Sequence, residues 1–297
     1  SAVVSAINEQ HRNTMFLPDA ELDPAIQATS DYADIAACDA VLLVAPAQFL
    51  RSICTDLSAH WREGVSAVVC AKGIEQGTGA LMTTVVKEAL PQAPLAVLSG
   101  PTFAAEVAKG LPTAITLACE DPDLGQALIK AIGTTTFRPY LADDLIGAEV
   151  GGAVKNVLAI ACGIVTGRQL GSNARAALIN RGLAEMMRLG RALGGKSETM
   201  MGLSGMGDLV LTCSSEQSRN MSLGAALGRG ERLNDILGER NSVAEGVASA
   251  PAVTDLAASL NVDMPICSAV NAILHQDQGV EDIINGLMAR PFRPEKP

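Results

Sequence analysis

A lysine followed by an amide interrupts an apolar stretch at Gly151-Gly152-Ala153-Val154-Lys155-Asn156, which runs on through Val157-Leu158-Ala159-Ile160-Ala161-Cys162-Gly163. Lysine is among the side chains least often buried without a partner. Desolvation lowers its pKa and turns the ammonium into a proton donor suited to neutral pH. The competing reading has Lys155 run its stem along an amphipathic helix and keep its charge in water. A carboxylate enters a second apolar run at Gly205-Met206-Gly207-Asp208-Leu209-Val210-Leu211-Thr212-Cys213. Buried there, Asp208 needs a hydrogen-bond donor or a cation; at the start of a helix it is an N-cap. Ser218-Arg219-Asn220 precedes an apolar, glycine-punctuated helix. An arginine and an amide at a helix N-terminus suit a phosphate, and a solvated arginine at a cap fits the same residues.

Further candidates follow short apolar runs. Lys72 stands in Ala71-Lys72-Gly73, and Gly100, Thr102 and Ala104 stand in Ser99-Gly100-Pro101-Thr102-Phe103-Ala104. Gly100 permits close backbone approach and Pro101 suits a turn. Thr102 is placed to N-cap a helix whose free N–H groups face an anion; an ordinary strand-to-helix turn explains the same residues. Arg181 and Glu185 are spaced as an i, i+4 pair and read as structural.

The elements that must position these residues fall into two kinds. Up to about residue 141, apolar β-branched runs alternate with helical stretches. Val41–Ala45, Ala67–Cys70 and Leu95–Leu98 read as buried parallel strands, with Thr113–Cys119 and Phe137–Leu141 completing the sheet. Gln48–His60 and Gly79–Leu90 read as helices between them, and residues 1–10 as part of a helix. The alternation predicts right-handed crossovers and a doubly wound α/β sheet, with ligands beyond the carboxyl ends of the strands. From about Ala148 the helical period takes over, which divides the chain into 1–147 and an all-α 148–297, with a frayed tail at Pro291–Pro297.

Composition narrows the function. The chain has 297 residues, enough for two domains. It is 48% hydrophobic but 3% aromatic, which favours packed helices and parallel strands over a sandwich. A net charge of −10 argues against a nucleic-acid surface. Seven scattered cysteines without a C-x-x-C pair, and three histidines, fit neither a disulfide framework nor a zinc site. They point to a reducing, cytoplasmic setting. No apolar run is read as a membrane span.

The order of the motifs is more specific than any one of them. Asn13-Thr-Met-Phe-Leu-Pro-Asp19, Ala71-Lys-Gly73, Ser99–Ala104, Gly151–Asn156, Gly207-Asp-Leu-Val-Leu-Thr-Cys213 and Ser218-Arg-Asn220 occur in that sequence, and from about Asn13 to Arg290 the chain resembles bacterial NAD(P)-dependent glycerol-3-phosphate dehydrogenases. The resemblance implies an NAD(P)-binding Rossmann-type domain over 1–147 and an all-helical substrate domain over 148–297. It implies NAD or NADP as cofactor, no metal, and dihydroxyacetone phosphate and sn-glycerol 3-phosphate as substrates, in glycerophospholipid synthesis. A homodimer is compatible with it.

Residue by residue, the resemblance makes Lys155 the group that exchanges a proton with the substrate C2 oxygen, with Asn156 and Asp208 beside it, orienting the lysine and the substrate. Lys72, Gly100 and Thr102 become substrate contacts, and Ser218, Arg219 and Asn220 the phosphate clamp. Lys72, Ala104, Arg219, Val243 and Glu245 become cofactor contacts, the last two in Ser242-Val-Ala-Glu-Gly246. The resemblance also exposes a departure. The family's opening strand, G-x-G-x-x-G turn and helix are not found here; Gly77-Thr78-Gly79 lacks the third glycine. The expectation is a chain truncated by roughly thirty or more residues, one β-α-β unit. The strands at Val41–Ala45 and Leu95–Leu98 would then lose neighbours. Two alternatives stand beside the dehydrogenase: a truncated or non-catalytic relative that keeps the fold, and a related two-domain dehydrogenase acting on another hydroxy acid, such as ketopantoate.

Overall fold

The computed structural model describes residues 2–239 and 243–292; Ser242 of the 242–246 motif and residues 293–297 of the tail lie outside them. Helix α1 (Ala2–Gln10) opens the chain, followed by β1 (Ala40–Leu43), α2 (Leu50–Ser58), β2 (Ser66–Val69), α3 (Met82–Ala89) and β3 (Leu95–Ser99). Then come α4 (Ala104–Ala108), β4 (Thr113–Ala118), α5 (Pro122–Ile132) and β5 (Phe137–Ala142). The helix expected from Gln48 is a 3-10 turn at Ala47–Phe49 leading into α2. The one expected from Gly79 starts only at Met82, because Gly77 and Gly79 hold φ at +82° and +70° and Ile74 bridges Leu81. Left-handed backbone at those glycines ends any helix there.

The strands lie in the order β1-β2-β3-β4-β5. Within that order β1, β2 and β3 run parallel, as do β4 and β5, but β4 is antiparallel to β3. The three strands read as parallel are so, and the sheet departs from all-parallel at one place, between β3 and β4. A parallel return needs a crossover spanning the strand length. The connection after β3 carries only the five-residue α4, about 7.5 Å of helix, so the chain turns back where it left the sheet. Nor does β3 lose a neighbour. It is paired on both sides, and the edges are β1, with Leu42 43% exposed, and β5. Side chains alternate across the sheet. Leu43, Val69 and Val97 meet Leu50, Met82 and Val86 on one face, and Val68, Ala96 and Leu117 meet Leu128 on the other.

The helical domain comprises α6 (Leu145–Gly167), α7 (Gly171–Ala192), α8 (Ser197–Met201), a π-helical turn at Leu203–Gly207, α9 (Asp208–Ser214) and α10 (Arg219–Arg229). It continues through α11 (Leu233–Gly238), α12 (Glu245–Ser259), α13 (Pro265–His275) and α14 (Val280–Met288). Against the sequence reading, α6 is long and apolar enough to cross a membrane, with a mean hydropathy of 1.5. Here it is the core helix, buried at every residue from Gly147 to Val165. Its approach to α10 requires glycine: a Cβ on Gly163 would strike the Met221 carbonyl, and one on Gly224 would strike the Ile160 carbonyl. Small residues on both helices bring the backbones together and fix how the two cross.

Candidate active site

Lys155 is buried, so its stem does not carry the ammonium out to the protein surface. Its Nζ donates to Asp208 Oδ1 at 2.5 Å and to Thr212 Oγ1 at 3.1 Å. The other oxygen of Asp208 accepts from Lys72 Nζ at 2.7 Å, and Lys72 also donates to the Gly100 carbonyl at 3.2 Å. One carboxylate, 1% exposed, thus joins a lysine following β2 to a lysine on α6. Asp208 is not the cap of its helix; that position belongs to Gly207. Thr212, one turn along α9, binds both the Asp208 backbone carbonyl and its carboxylate.

The electrostatics follow from burial and crowding. Burial, then the Lys72 ammonium, lower the Lys155 pKa to about 8 against the pull of Asp208. Burial works to raise the Asp208 carboxyl, but Lys72 and Lys155 outweigh it and hold it below the usual carboxylate range. Burial raises Glu245 as well, opposed by the backbone at Ala47 and the charges of Arg219, Lys72 and Lys155.

These groups face a cavity of about 710 Å³ between the carboxyl ends of the strands and the helical domain. Lys72, Thr102, Ala104, Lys155, Asn156, Asp208, Ser218, Arg219, Asn220 and Glu245 line it. Gly152 permits the close fit behind Lys72, since a Cβ there would come within 3.2 Å of both Lys72 Cγ and Ser99 Oγ. Opposite, Ser218 N-caps α10 by accepting from the Met221 N–H, so its oxygen is engaged and its hydroxyl proton remains to donate. Asn220 donates to Asn156 Oδ1 at 3.0 Å and accepts from the Gly246 N–H at 2.9 Å.

Several sequence readings change here. The Asn156 side-chain oxygen accepts from Asn220, which ties α6 to α10, and Asn156 lines the cavity next to Lys155. Thr102 caps no helix: Phe103 holds the cap position of α4, and Thr102 Oγ1 donates to the Gly100 carbonyl. Val243 is 53% exposed and away from the cavity wall, whereas Glu245 lines it. Glu185 does not pair with Arg181; it accepts from the N–H groups of Ile266 and Cys267 and so caps α13. Thr212 escaped the sequence reading, although its place one helical turn after Asp208 was a usable signal. Among the described residues no group of three or more His, Cys, Asp or Glu is placed to hold a metal ion.

Residues 1–125 match the family model of the N-terminus of NAD-dependent glycerol-3-phosphate dehydrogenase, and residues 144–285 match its C-terminus. The chain belongs to the NAD-dependent glycerol-3-phosphate dehydrogenase family. It is 59% identical to a glycerol-3-phosphate dehydrogenase [NAD(P)+] of Caulobacter vibrioides, over 99% of this chain and 88% of the relative. It is 58% identical to the enzyme of that name from Rhodospirillum rubrum, over 99% of this chain and 84% of the relative. The crystal structure of glycerol-3-phosphate dehydrogenase from Coxiella burnetii superposes with a TM-score of 0.94 at 38% identity, covering 98% of this chain and 89% of that one. In this glycerol-3-phosphate dehydrogenase family member, the sheet-bearing half supplies Lys72 and the helical half supplies Lys155 and Asp208.

Proposed function

We propose that the chain interconverts dihydroxyacetone phosphate and sn-glycerol 3-phosphate with NAD or NADP, serving glycerophospholipid synthesis. The observation that carries the reading is the buried carboxylate of Asp208 shared between Lys72 and Lys155 at the wall of an open cavity. The working division is a dinucleotide-binding part over 1–147 and a substrate part over 148–297. Ala45, Pro46, Phe103 and Ala104 form a mostly apolar stretch of the cavity wall, with the Glu245 carboxyl against the Ala47 backbone beside it, a setting that fits the flat nicotinamide end of the cofactor. Among the described residues no strand leads into a G-x-G-x-x-G turn of the kind that holds a pyrophosphate.

The chemistry that the bound dinucleotide supplies is hydride exchange with C2 of the substrate. As the C2 carbonyl is reduced, charge grows on its oxygen; Lys155 stabilises it and gives up a proton, completing the hydroxyl. Asp208 keeps the Lys155 ammonium in place, and Lys72 on the same carboxylate adds positive potential beside the carbonyl. Arg219, with the Ser218 hydroxyl and the second Asn220 amide proton, holds the phosphate and fixes the orientation of C2. In the oxidative direction the neutral Lys155 amine takes the hydroxyl proton. The same reading has the protein work in the cytoplasm, and a homodimer is compatible with it.

Turnover of dihydroxyacetone phosphate against ketopantoate tests the substrate, with Arg219→Ala as the discriminating variant. Losing a charged hydrogen bond of about 1.5–3 kcal/mol raises KM for dihydroxyacetone phosphate roughly ten- to a hundredfold. Wild-type turnover of ketopantoate that exceeds turnover of the phosphate, or an unchanged KM in the variant, would overturn the reading.

A further inference from the structure

We propose that Glu149 is a positioning residue, holding α6, and Lys155 with it, in register with the sheet-bearing half of the molecule. The proposal rests on the assignment of Lys155 as proton donor. Glu149 is 4% exposed and turns both carboxylate oxygens to the first turn of α3, with the Met82 backbone also acting on it. Oε1 accepts from the Thr83 backbone N–H at 2.7 Å and Oε2 from the Thr83 hydroxyl at 2.6 Å. Thr83 lies in the first turn of α3, whose own cap residue, Leu81, offers no side-chain hydrogen bond. The first N–H groups of a helix need acceptors from outside it, and a carboxylate matches the positive end of the helix dipole. Here α6 supplies that acceptor.

The placement connects the cap to the chemistry. The connection between β2 and α3 has Lys72 at one end and the Thr83 turn at the other. Helix α6 engages both ends: Glu149 grips Thr83, Gly152 packs on the Lys72 stem, and Lys155 shares Asp208 with the Lys72 ammonium. Glu149 and Lys155 are about 9 Å apart along the helix axis. A slip or rotation of α6 at the first contact therefore moves the ammonium at the last. Burial raises the Glu149 carboxyl to about 7. When it takes a proton, the Thr83 hydroxyl turns from donor to acceptor and both bonds survive. A glutamine side chain reproduces that arrangement. Glu185 provides an internal control, a second buried carboxylate capping a helix, α13, that brings no charged group to the cavity.

Steady-state kinetics of the full chain with dihydroxyacetone phosphate, paired with amide hydrogen exchange over residues 72–83, tests the proposal. Glu149→Ala is expected to lower kcat on the order of tenfold to a hundredfold, as small misplacements do, with KM within about threefold. Glu149→Gln is expected to restore kcat to within about threefold of wild type. Glu185→Ala is expected to unfold at lower denaturant concentration with kcat unchanged. A folded Glu149→Ala protein with wild-type kcat would overturn the proposal, as would a Glu149→Gln protein as impaired as Glu149→Ala or an equal kcat loss in Glu185→Ala. Should Glu149→Ala not fold, Thr83→Val removes the hydroxyl partner of one buried carboxylate oxygen, and its kcat is expected to drop severalfold; no drop refutes the tie. Absence of turnover in the wild type would instead refute the assigned reaction. Exchange over 72–83 would still judge the tie: it should accelerate in Glu149→Ala or Thr83→Val and stay at the wild-type rate in Glu149→Gln.

Discussion

Two ammonium groups share one carboxylate at Asp208, with contacts of 2.5 Å from Lys155 and 2.7 Å from Lys72. Removing that charge leaves the buried Lys155 ammonium and the half-buried Lys72 ammonium facing an amide. Asp208→Asn is expected to cost roughly 3–5 kcal/mol of stability for an uncompensated buried charge. The same change shifts the Lys155 titration below about 8, because the one carboxylate raising it is gone while burial and Lys72 still lower it. The wild-type rate of carbonyl reduction should be flat below about pH 8 and fall above it, as Lys155 loses the proton it donates. Oxidation of the alcohol needs the neutral amine and should rise with pH up to the same point. Paired pH–rate profiles in the two directions check this, and in Asp208→Asn any residual reduction should decline from a lower pH. At this scale the charged residues were legible because lysine and aspartate stand out in apolar runs. Their partners were not. Nothing in the sequence tells that the Asn156 amide turns to Asn220 and the Lys155 ammonium to Thr212, since both choices are made by helices that meet only in the folded chain.

Helix α6 organises the elements. Its glycines admit α10 on one side and the Lys72 stem on another, and the small-residue pattern of Gly151-Gly152 and Gly163 was visible in the sequence. Gly163→Val places two methyl groups against the α10 backbone and is expected to cost roughly 1–3 kcal/mol or more, measured by urea unfolding. Glu149 gives this helix a pH signature. Its carboxyl titrates near 7 in the folded protein against an ordinary value of 4.5. The folded state therefore holds the proton more tightly. The contribution to stability is fully present below about pH 4.5 and is lost as pH rises through 7, up to about 3 kcal/mol. Glu149→Gln removes that loss, so its stability relative to wild type should grow between pH 5 and pH 8. An offset independent of pH would contradict the assignment. The sequence reading passed over Glu149 because a carboxylate in an apolar helix has no visible partner until α3 is seen to lack a cap of its own.

Across the whole molecule, the switch from strand-helix alternation to continuous helical period is real and falls where α6 begins at Leu145. Hydrophobic period reports local structure well, which is why each of the five apolar runs became a strand within a few residues of its expected limits. Strand direction is a property of connections, and the reversal of β4 against β3 depended on how little helix lies between them. The cavity arises at the junction, where the turn after β2 and residues from β3, α6, α9 and α10 are brought together from distant parts of the chain. Only the order of the motifs foretold that meeting, through resemblance and not through any local pattern. The account stands most directly on Lys155. Reduction of dihydroxyacetone phosphate by Lys155→Ala, measured beside its dinucleotide affinity, is predicted to fall by about 10²–10⁴-fold, the usual contribution of a positioned acid, with that affinity within a few-fold of wild type. Turnover of that variant within tenfold of wild type would contradict the proton-donor role at the centre of the account.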